Sequence, residues 1–222
     1  MAECPFDTRA DAYDAWYDCC PRTFASELRA LQRLLPSSGD WVEVGVGTGR
    51  FAATLGIKTG VEPAAAMAAY ARARGVTVHE GVAEALPLPS ESCDAVFFIT
   101  ALCFVRDVRK AFAEAWRVLR PGGTCIVAML PKSSPLGRSI DAAREGDVFF
   151  RHAVLRETRD VVRDLEHAGL SFRGAVHTLR GSPARFEHRT QRPGRGLRRG
   201  SFVVLRAVRE SGGANEGRPK AA

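Results

Sequence analysis

Short apolar runs alternate along this chain with segments of helical periodicity. Apolar positions three and four residues apart predict helices over 49–55, 64–74, 108–119 and 157–168. Short apolar runs predict strands over 41–45, 57–62, 76–80, 95–100, 124–130, 171–179 and 201–208. Strands joined by helical crossovers are typical of a parallel sheet with helices on both faces. The pattern therefore predicts an α/β fold with a Rossmann-like, doubly wound sheet.

The two ends of the chain depart from this alternation. No convincing helix separates the last two runs, so we expect five parallel strands followed by an antiparallel hairpin at the sheet edge. The N-terminal segment has helical periodicity, broken near Cys20-Pro21, and one of its faces carries Leu28, Leu31, Leu34 and Leu35. We expect a helical cover over 1–40, the main domain over 41–210 and a disordered tail over 211–222.

The basic excess of the chain lies near its C-terminus. The net charge is +7, and the residues from Gly181 onward contain ten Lys or Arg and three Asp or Glu, so that the rest is balanced. Pro193, Gly194 and Gly196 interrupt the late arginines, and no aromatic residues alternate with them for base stacking. This segment is therefore interpreted as a flexible connector, and nucleic acid is not an expected partner.

Hydropathy and cysteine spacing limit the other partners. No apolar stretch approaches the roughly 20 residues of a membrane-spanning helix, and the N-terminus lacks a signal-peptide pattern. We therefore expect a cytoplasmic protein without a membrane partner. The chain has no C-x-x-C pair, so no metal site is expected from its six cysteines. The pattern indicates no particular oligomeric state.

A glycine-dense turn over 41–50 is the sharpest chemical signal. Gly45, Gly47 and Gly49 follow a predicted strand and precede a predicted helix, so the backbone can bend tightly and approach a ligand. Arg50 stands where a dinucleotide fingerprint requires its third glycine, which argues against NAD. A carboxylate at Glu43 suits an ammonium group better than a pyrophosphate. These features favour S-adenosylmethionine as the ligand.

The turn resembles motif I of the class I S-adenosylmethionine-dependent methyltransferases, in the broad family (methyltransferase family 11) that includes the menaquinone and ubiquinone biosynthesis enzymes. The resemblance covers about residues 41–130 and continues through 61–63, 81–87, 92–96 and 117–123. It is looser at 157–170 and 200–204. The resemblance implies that the Glu62 carboxylate takes both ribose hydroxyls of the cofactor. The cofactor-binding residues it implies are Glu43, Gly45, Val46, Gly47, Gly49, Glu62, Pro63, Ala83, Glu84 and Thr100.

Methyl transfer is an in-line displacement, which depends on positioning and on the exclusion of water. In such a sheet the ligand lies beyond the carboxyl ends of the strands, so acceptor contacts are expected from the loop after the fourth strand and from the N-terminal cover. The candidates for contact with a small-molecule acceptor are Tyr13, Trp16, Tyr17, Cys103 and Phe104. No catalytic base is assigned, because His152 is the single histidine expected near that edge.

Three functions stay open at this level. The first is methyl transfer to a small molecule, the second is an RNA or protein methyltransferase steered by the late arginines, and the third is a non-catalytic nucleotide-binding protein of the same fold. Base methylation is disfavoured, because the fourth strand precedes neither an Asn/Asp-Pro-Pro-aromatic motif nor a Pro-Cys nucleophile. Methylation of arsenite through Cys19, Cys20 and Cys103 is a further hypothesis, although their spacing does not resemble that family.

Overall fold

The computed structural model describes residues 4–197 and 199–211, which form an α/β fold around one eight-stranded sheet. The strands are β1 (Trp41–Val44), β2 (Thr59–Val61), β3 (Thr77–His79), β4 (Cys93–Ile99), β5 (Leu119–Met129), β6 (Leu170–Thr178), β7 (Gly194–Arg195) and β8 (Phe202–Arg209). The α-helices are α1 (Pro5–Thr8), α2 (Ala10–Cys19), α3 (Pro21–Gln32), α4 (Arg50–Leu55), α5 (Ala65–Ala73), α6 (Val108–Val118), α7 (Pro135–Ala143) and α8 (Thr158–His167). The predicted α/β class and all seven predicted strands are confirmed.

The strand order is β3-β2-β1-β4-β5-β8-β6-β7. The first five strands are parallel, and β8 is antiparallel to both of its neighbours. The antiparallel pairing of the last two predicted strands at the end of the parallel sheet is confirmed. The strand β8 lies inside the sheet between β5 and β6, and it is accordingly more buried than β6. The short strand β7, which the pattern did not predict, pairs with β6 at the edge.

Helices cover both faces of the sheet, as a doubly wound fold requires. Consecutive residues of β4 point to opposite faces, so Phe98 packs with Phe112 of α6 and Leu165 of α8 in one core. Phe97 packs in the other core, together with Leu31 of α3. This central strand therefore ties the two helical layers to one scaffold.

The N-terminal cover consists of α1, α2 and α3, and the predicted break at Cys20-Pro21 is confirmed. On α3 and just after it, Leu31 is fully buried, and Leu28, Leu34 and Leu35 pack partly buried against the same core. The predicted apolar face is therefore the one that contacts the sheet.

The flexible connector predicted for the late basic segment was wrong. Residues Pro183–His188 form a 3-10 helix that buries Phe186. Glu187 accepts hydrogen bonds from the backbone N–H groups of Thr23 and Arg22 at 2.6 and 3.1 Å, at the start of α3. Gln191 N–H donates to Ser26 Oγ at 2.8 Å. One apolar and two polar anchors therefore fasten the segment to the cover, which its Gly, Pro and Arg content did not reveal.

The predicted tail and the predicted domain division are not tested by this fold. Except for Ser211, the predicted disordered tail lies outside the described residues, as does Arg198 of the basic segment. The division into a cover over 1–40 and a main domain over 41–210 stays a prediction. Within the described chain, no helix is both long and apolar enough to cross a bilayer.

Candidate functional site

The glycine-dense turn joins β1 to α4 at the carboxyl edge of the sheet. Gly45 and Gly47 adopt φ angles of 71° and 54°, in the left-handed region that glycine tolerates best. A Cβ on Gly45 would come within 2.7 Å of Ala101 Cβ, so the turn packs directly on the loop after β4. A Cβ on Gly47 would meet no atom within 4 Å, because that side of the backbone borders open space. This open side is where a ligand can approach the main chain.

A cleft with a volume of about 160 Å³ opens beside this turn. We call it the cofactor cleft. It lies beyond the carboxyl ends of β1, β2 and β4, and it is lined by Phe6, Tyr13, Val44, Gly45, Gly47, Glu62, Pro63, Met67, Gly81, Val82, Ala83, Glu84, Ile99, Thr100, Ala101, Phe104 and Val105.

Glu62 follows β2 and is 8% exposed at the floor of the cleft. Its Oε2 accepts a hydrogen bond from Gly47 N–H at 2.8 Å, and its Oε1 accepts one from Ala64 N–H at 3.0 Å. Burial raises the pKa of this carboxyl, and the two backbone hydrogen bonds oppose that rise. The carboxylate therefore fixes the glycine turn and keeps further lone pairs for a ligand.

Glu43 lies in β1 and is 2% exposed. Its Oε2 has no hydrogen-bond partner within the described part of the chain, and burial, followed by repulsion from Glu62, raises its pKa well above the ordinary value. A cationic group would satisfy this oxygen and favour the charged form. Glu43 does not line the cleft, whereas Glu62 and Gly47 do. The Glu62 carboxylate and the open side of Gly47 fit a ligand with hydroxyl groups, as the ribose of S-adenosylmethionine has.

The loop after β4 and the segment after β3 form the opposite wall. Thr100 has a φ of 53°, an uncommon conformation for a β-branched residue and one that recurs at functional sites. Glu84 Oε1 accepts backbone hydrogen bonds from Arg106 and Asp107 at 2.9 and 3.1 Å, where α6 begins. The Glu84 side chain therefore connects the segment after β3 to the start of α6. Glu84 also borders the cleft.

A second, larger cavity of about 490 Å³ adjoins the cofactor cleft, and Tyr13 and Thr100 line both. We call it the aromatic chamber. It lies under α2 and α3, and its aromatic walls are formed by Tyr13, Trp16, Tyr17, Phe51, Phe149, Phe150 and Phe186. Burial is the main cause that raises the pKa of Tyr13 to about 12 and that of Tyr17 well above its ordinary value. Both phenols therefore stay protonated at neutral pH.

An ion-pair cluster fastens α2 to the glycine turn. Arg50, the first residue of α4, donates to both carboxylate oxygens of Asp14 at 3.0 and 2.6 Å and also pairs with Asp18 at 2.7 Å. Arg74 pairs with the same Asp14 at 2.7 Å and donates to the Thr48 carbonyl at 2.8 Å. The cover is therefore anchored by charge to the residues that border the cleft.

The structure brings most of the predicted cofactor residues together. The residues among them that line the cleft are Gly45, Gly47, Glu62, Pro63, Ala83, Glu84 and Thr100. Glu43, Val46 and Gly49 do not line it. A Cβ on Gly49 would come within 2.8 Å of Ala71 Cα, so this glycine allows α4 and α5 to pack closely. Roles in ligand binding stay predictions for the whole set.

The predicted acceptor residues divide among three places. Tyr13 borders both cavities, Phe104 borders the cofactor cleft, and Tyr17 and the 44% exposed Trp16 border the aromatic chamber. Cys103 lines neither; its thiol contacts the Thr100 carbonyl at 3.4 Å, and burial raises its pKa to about 12. His152 is exposed and lines neither cavity. Within the described residues, no group of three His, Cys, Asp or Glu side chains is placed to hold a metal ion.

Sequence analysis missed Phe6, Met67 and Glu27. The Phe6 ring of α1 packs edge-on against Phe104 at 4.9 Å and so closes the cleft from above. Met67 is buried on α5 and lines the cleft. Glu27 of α3 is 5% exposed and lines the aromatic chamber. A signal for Glu27 was present, because it lies three residues after Phe24 and four before Leu31, in the apolar stripe of α3.

Comparisons with known proteins agree on one family. The family described as "Methyltransferase domain" matches residues 42–127. The chain is similar to the crystal structure of an S-adenosylmethionine-dependent methyltransferase of Thermotoga maritima, described as a possible histamine N-methyltransferase. The two are 39% identical, with a TM-score of 0.88, over 92% of this chain and 98% of that one.

Curated sequences extend the similarity. An uncharacterized protein of Methanocaldococcus jannaschii is 34% identical over 174 residues, which are 78% of this chain and 84% of that protein. The demethylmenaquinone methyltransferase of Roseiflexus castenholzii is 39% identical over 111 residues, 45% of each chain.

Proposed function

Since this chain belongs to the class I S-adenosylmethionine-dependent methyltransferases, in methyltransferase family 11, we propose that it methylates a small molecule bound in the aromatic chamber. The observation that carries the proposal is the junction of the two cavities at Tyr13 and Thr100. A cofactor in the cleft and an acceptor in the chamber would meet there. A small acceptor can enter the chamber whole.

The cofactor is S-adenosylmethionine, and we assign its contacts to the lining of the cleft. Glu62 would accept hydrogen bonds from the ribose hydroxyls. The open backbone at Gly47 would lie against the ligand, and Ala83 would border the adenine. When bound, the cofactor supplies a methyl group on a positively charged sulfur.

The protein's own contribution is positioning and the exclusion of water. The Phe6 ring packs against Phe104 and Tyr13 over the cleft, with ring centroids 4.9 and 5.9 Å away, respectively. This aromatic lid would shield the cleft from solvent, and its ring faces would favour a sulfonium by cation–π attraction. The hydroxyls of Tyr13 and Tyr17 keep their protons at neutral pH, because burial raises the pKa of both, so we assign neither of them as a base.

The Thermotoga maritima relative is described as a possible histamine N-methyltransferase, and histamine is a small amine. This supports a small acceptor here as well. The alternative of an RNA or protein acceptor rests on the late arginines, which lie on the segment 180–199, and none of them lines the aromatic chamber in the described chain. The alternative of a protein without catalysis has no observation in its favour.

The test is a labelling experiment with S-adenosylmethionine that carries an isotopic methyl group. A cell extract is divided into a metabolite fraction, an RNA fraction and a protein fraction, and each is incubated with the native chain. We expect label in the metabolite fraction. A Glu62→Ala variant serves as a control that should lose this labelling. Label confined to RNA or to protein would contradict the proposal and promote the macromolecular alternative.

A further inference from the structure

The aromatic chamber contains a buried carboxyl group that has no hydrogen-bond or ion-pair partner among the described residues. Glu27 is 5% exposed on α3 and faces this chamber. No residue of 4–197 or 199–211 donates a hydrogen bond or an ion pair to its carboxyl; burial and repulsion from Glu187 are the influences on it. An unpaired buried carboxyl is costly to a fold, so its presence in a cavity marks a candidate functional group.

The charge of the chamber is opposite to that of the chain. Three carboxylates line it, Glu27, Asp147 and Glu187, and none of its described lining residues is Lys, Arg or His. The chain as a whole has a net charge of +7. Asp147 already accepts backbone hydrogen bonds from Phe149 and Phe150 at 2.8 and 2.9 Å. Glu187 accepts those of Arg22 and Thr23, so Glu27 is the one of the three whose side chain accepts no hydrogen bond within the described chain.

The walls around Glu27 also favour a cation. Ring faces attract ammonium groups, and the attraction grows when water is excluded. Tyr17 is 7% exposed and Phe51 is 5% exposed, so both belong to the dry part of the wall. Apolar side chains such as Leu136 and Ile140 complete it and suit a hydrophobic body.

We propose that the aromatic chamber binds a methyl acceptor with a protonated amine on an aromatic or apolar body, and that Glu27 pairs with the amine. This inference rests on the proposed small-molecule function and specifies its substrate class. Glu27 is a binding residue in this proposal, and the proposal assigns no acceptor atom.

The protonation of Glu27 gives the proposal a distinctive signature. Burial raises the pKa of this carboxyl to about 8, so that without a ligand it is mostly protonated at neutral pH. An ammonium partner favours the charged form and lowers the pKa again. Binding of an amine near neutral pH should therefore release close to one proton from the protein. An uncharged ligand of the same shape should release none.

The experiment is calorimetry on the native chain saturated with S-adenosylhomocysteine. The probes are 2-phenylethylamine, tryptamine and, as an uncharged match, 2-phenylethanol, each titrated near neutral pH in two buffers of different ionisation enthalpy. We expect at least one amine to bind roughly tenfold more tightly than the alcohol, which corresponds to about 1.4 kcal/mol, and to release a proton. A Glu27→Gln variant should lose both the preference and the proton release.

Glu187→Gln is the matched control. It removes a carboxylate from the same chamber, but the two oxygens of this carboxylate already accept backbone hydrogen bonds. It should keep the preference for amines over the alcohol. Absence of binding by both amines, equal affinity for amine and alcohol, or an unchanged preference in Glu27→Gln would overturn the inference. If the metabolite fraction is still labelled in that case, the proposed function survives and only the substrate class fails.

Discussion

The Arg50 guanidinium forms a bidentate ion pair with the Asp14 carboxylate, with N–O distances of 3.0 and 2.6 Å. Asp14 belongs to α2 of the cover, and Arg50 is the first residue after the glycine turn. The pair therefore connects the element that closes the ligand cavities to the element that borders the cofactor. Arg74 adds a second cation to the same carboxylate at 2.7 Å.

We predict that Asp14→Asn weakens the fold and loosens the cover. Although burial opposes it, hydrogen bonds from Arg50, Thr48 and Arg74 lower the pKa of Asp14 to about 2 from 3.8. A lowered pKa contributes stability above the ordinary value of 3.8, and this is lost as pH falls through about 2. The native chain should exceed the variant by about 2 kcal/mol in unfolding free energy at neutral pH. Denaturant titrations of both chains from pH 2 to neutral pH measure the difference in unfolding free energy.

Asp18→Asn is the matched control, since Asp18 pairs with the same Arg50 but its side chain is 68% exposed. Its unfolding free energy should be close to that of the native chain, because solvent screens exposed ion pairs. Equal destabilisation by both variants would mean that Asp14 does not anchor the cover through its buried contacts.

The same residues show how far sequence analysis reached. The glycine spacing and the strand–helix alternation predicted the fold, because they depend on local periodicity. Arg50 was recognised as a departure from the dinucleotide fingerprint, but its partner lies 36 residues away on another element. Periodicity along one helix carries no information on such a pairing, so the anchoring of the cover could not be predicted.

The aromatic chamber could not be predicted from the sequence for a different reason. Its walls come from α2, α3, α4, α7 and the late segment, which the fold brings together over distances that no motif spans. Glu27 could have been noticed within its apolar stripe, yet the Glu187 carboxylate that repels it comes from far along the chain. The three-dimensional arrangement alone identifies it as a group that faces a cavity.

For Glu62 we predict a loss of both cofactor affinity and stability in Glu62→Ala. The variant loses the charged acceptor proposed for the ribose hydroxyls, at about 1.5 to 3 kcal/mol for one such bond, or roughly ten- to hundredfold in dissociation constant. It also leaves the N–H groups of Gly47 and Ala64 without their acceptor, at about 1 to 3 kcal/mol of unfolding free energy. Calorimetry with S-adenosylmethionine and denaturant titration measure the two effects. An unchanged cofactor affinity in a folded variant would remove Glu62 from the proposed binding set.

Cys103 should be dispensable for methyl transfer. Burial raises the pKa of its thiol to about 12, so the nucleophilic thiolate is scarce at neutral pH. We expect Cys103→Ala to keep the methylation of the metabolite fraction within a few fold of the native rate. Iodoacetamide should modify the exposed Cys4 and Cys19 first, as peptide mass spectrometry would show. Loss of all transfer in a folded Cys103→Ala variant would revive a thiol or arsenite mechanism.

The late basic segment should not act as a nucleic-acid site. Its backbone is fastened to α3 through Glu187 and Gln191, so the arginines are held on a structured surface without alternating aromatic residues. We expect the triple variant Arg192→Gln, Arg195→Gln and Arg199→Gln to keep the methylation of the metabolite fraction. RNA binding to the native chain should lack a steep salt dependence. A log–log slope of about 0.7 per neutralised phosphate that disappears in the variant would contradict this prediction.

The last prediction concerns the pH dependence of stability caused by Glu27. The folded chain holds the Glu27 proton up to a pKa of about 8, whereas the ordinary value is 4.5. Between these values the folded state binds more protons than the unfolded state, so this group lowers the unfolding free energy as pH rises. The slope is at most about 1.4 kcal/mol per pH unit. Glu27→Gln removes this contribution and should gain stability over the native chain steadily from pH 4.5 to about 8.

The pKa shifts of the groups that face Glu27 do not add a titration between pH 4.5 and about 8. On α2 and next to it, the pKa of Tyr13 is about 12, and those of Tyr17 and Cys20 are raised above their ordinary values. The pKa of Glu187, on the late segment, is lowered, because hydrogen bonds from Thr23 and Arg22 outweigh its burial. Glu43 also has a raised pKa, but it is present in both chains and cancels from their difference. Urea titrations of the two chains at several pH values measure that difference. A difference that stays constant with pH would show that the Glu27 carboxyl is ionised in the folded chain, and that the chamber already provides the cation we assign to its ligand.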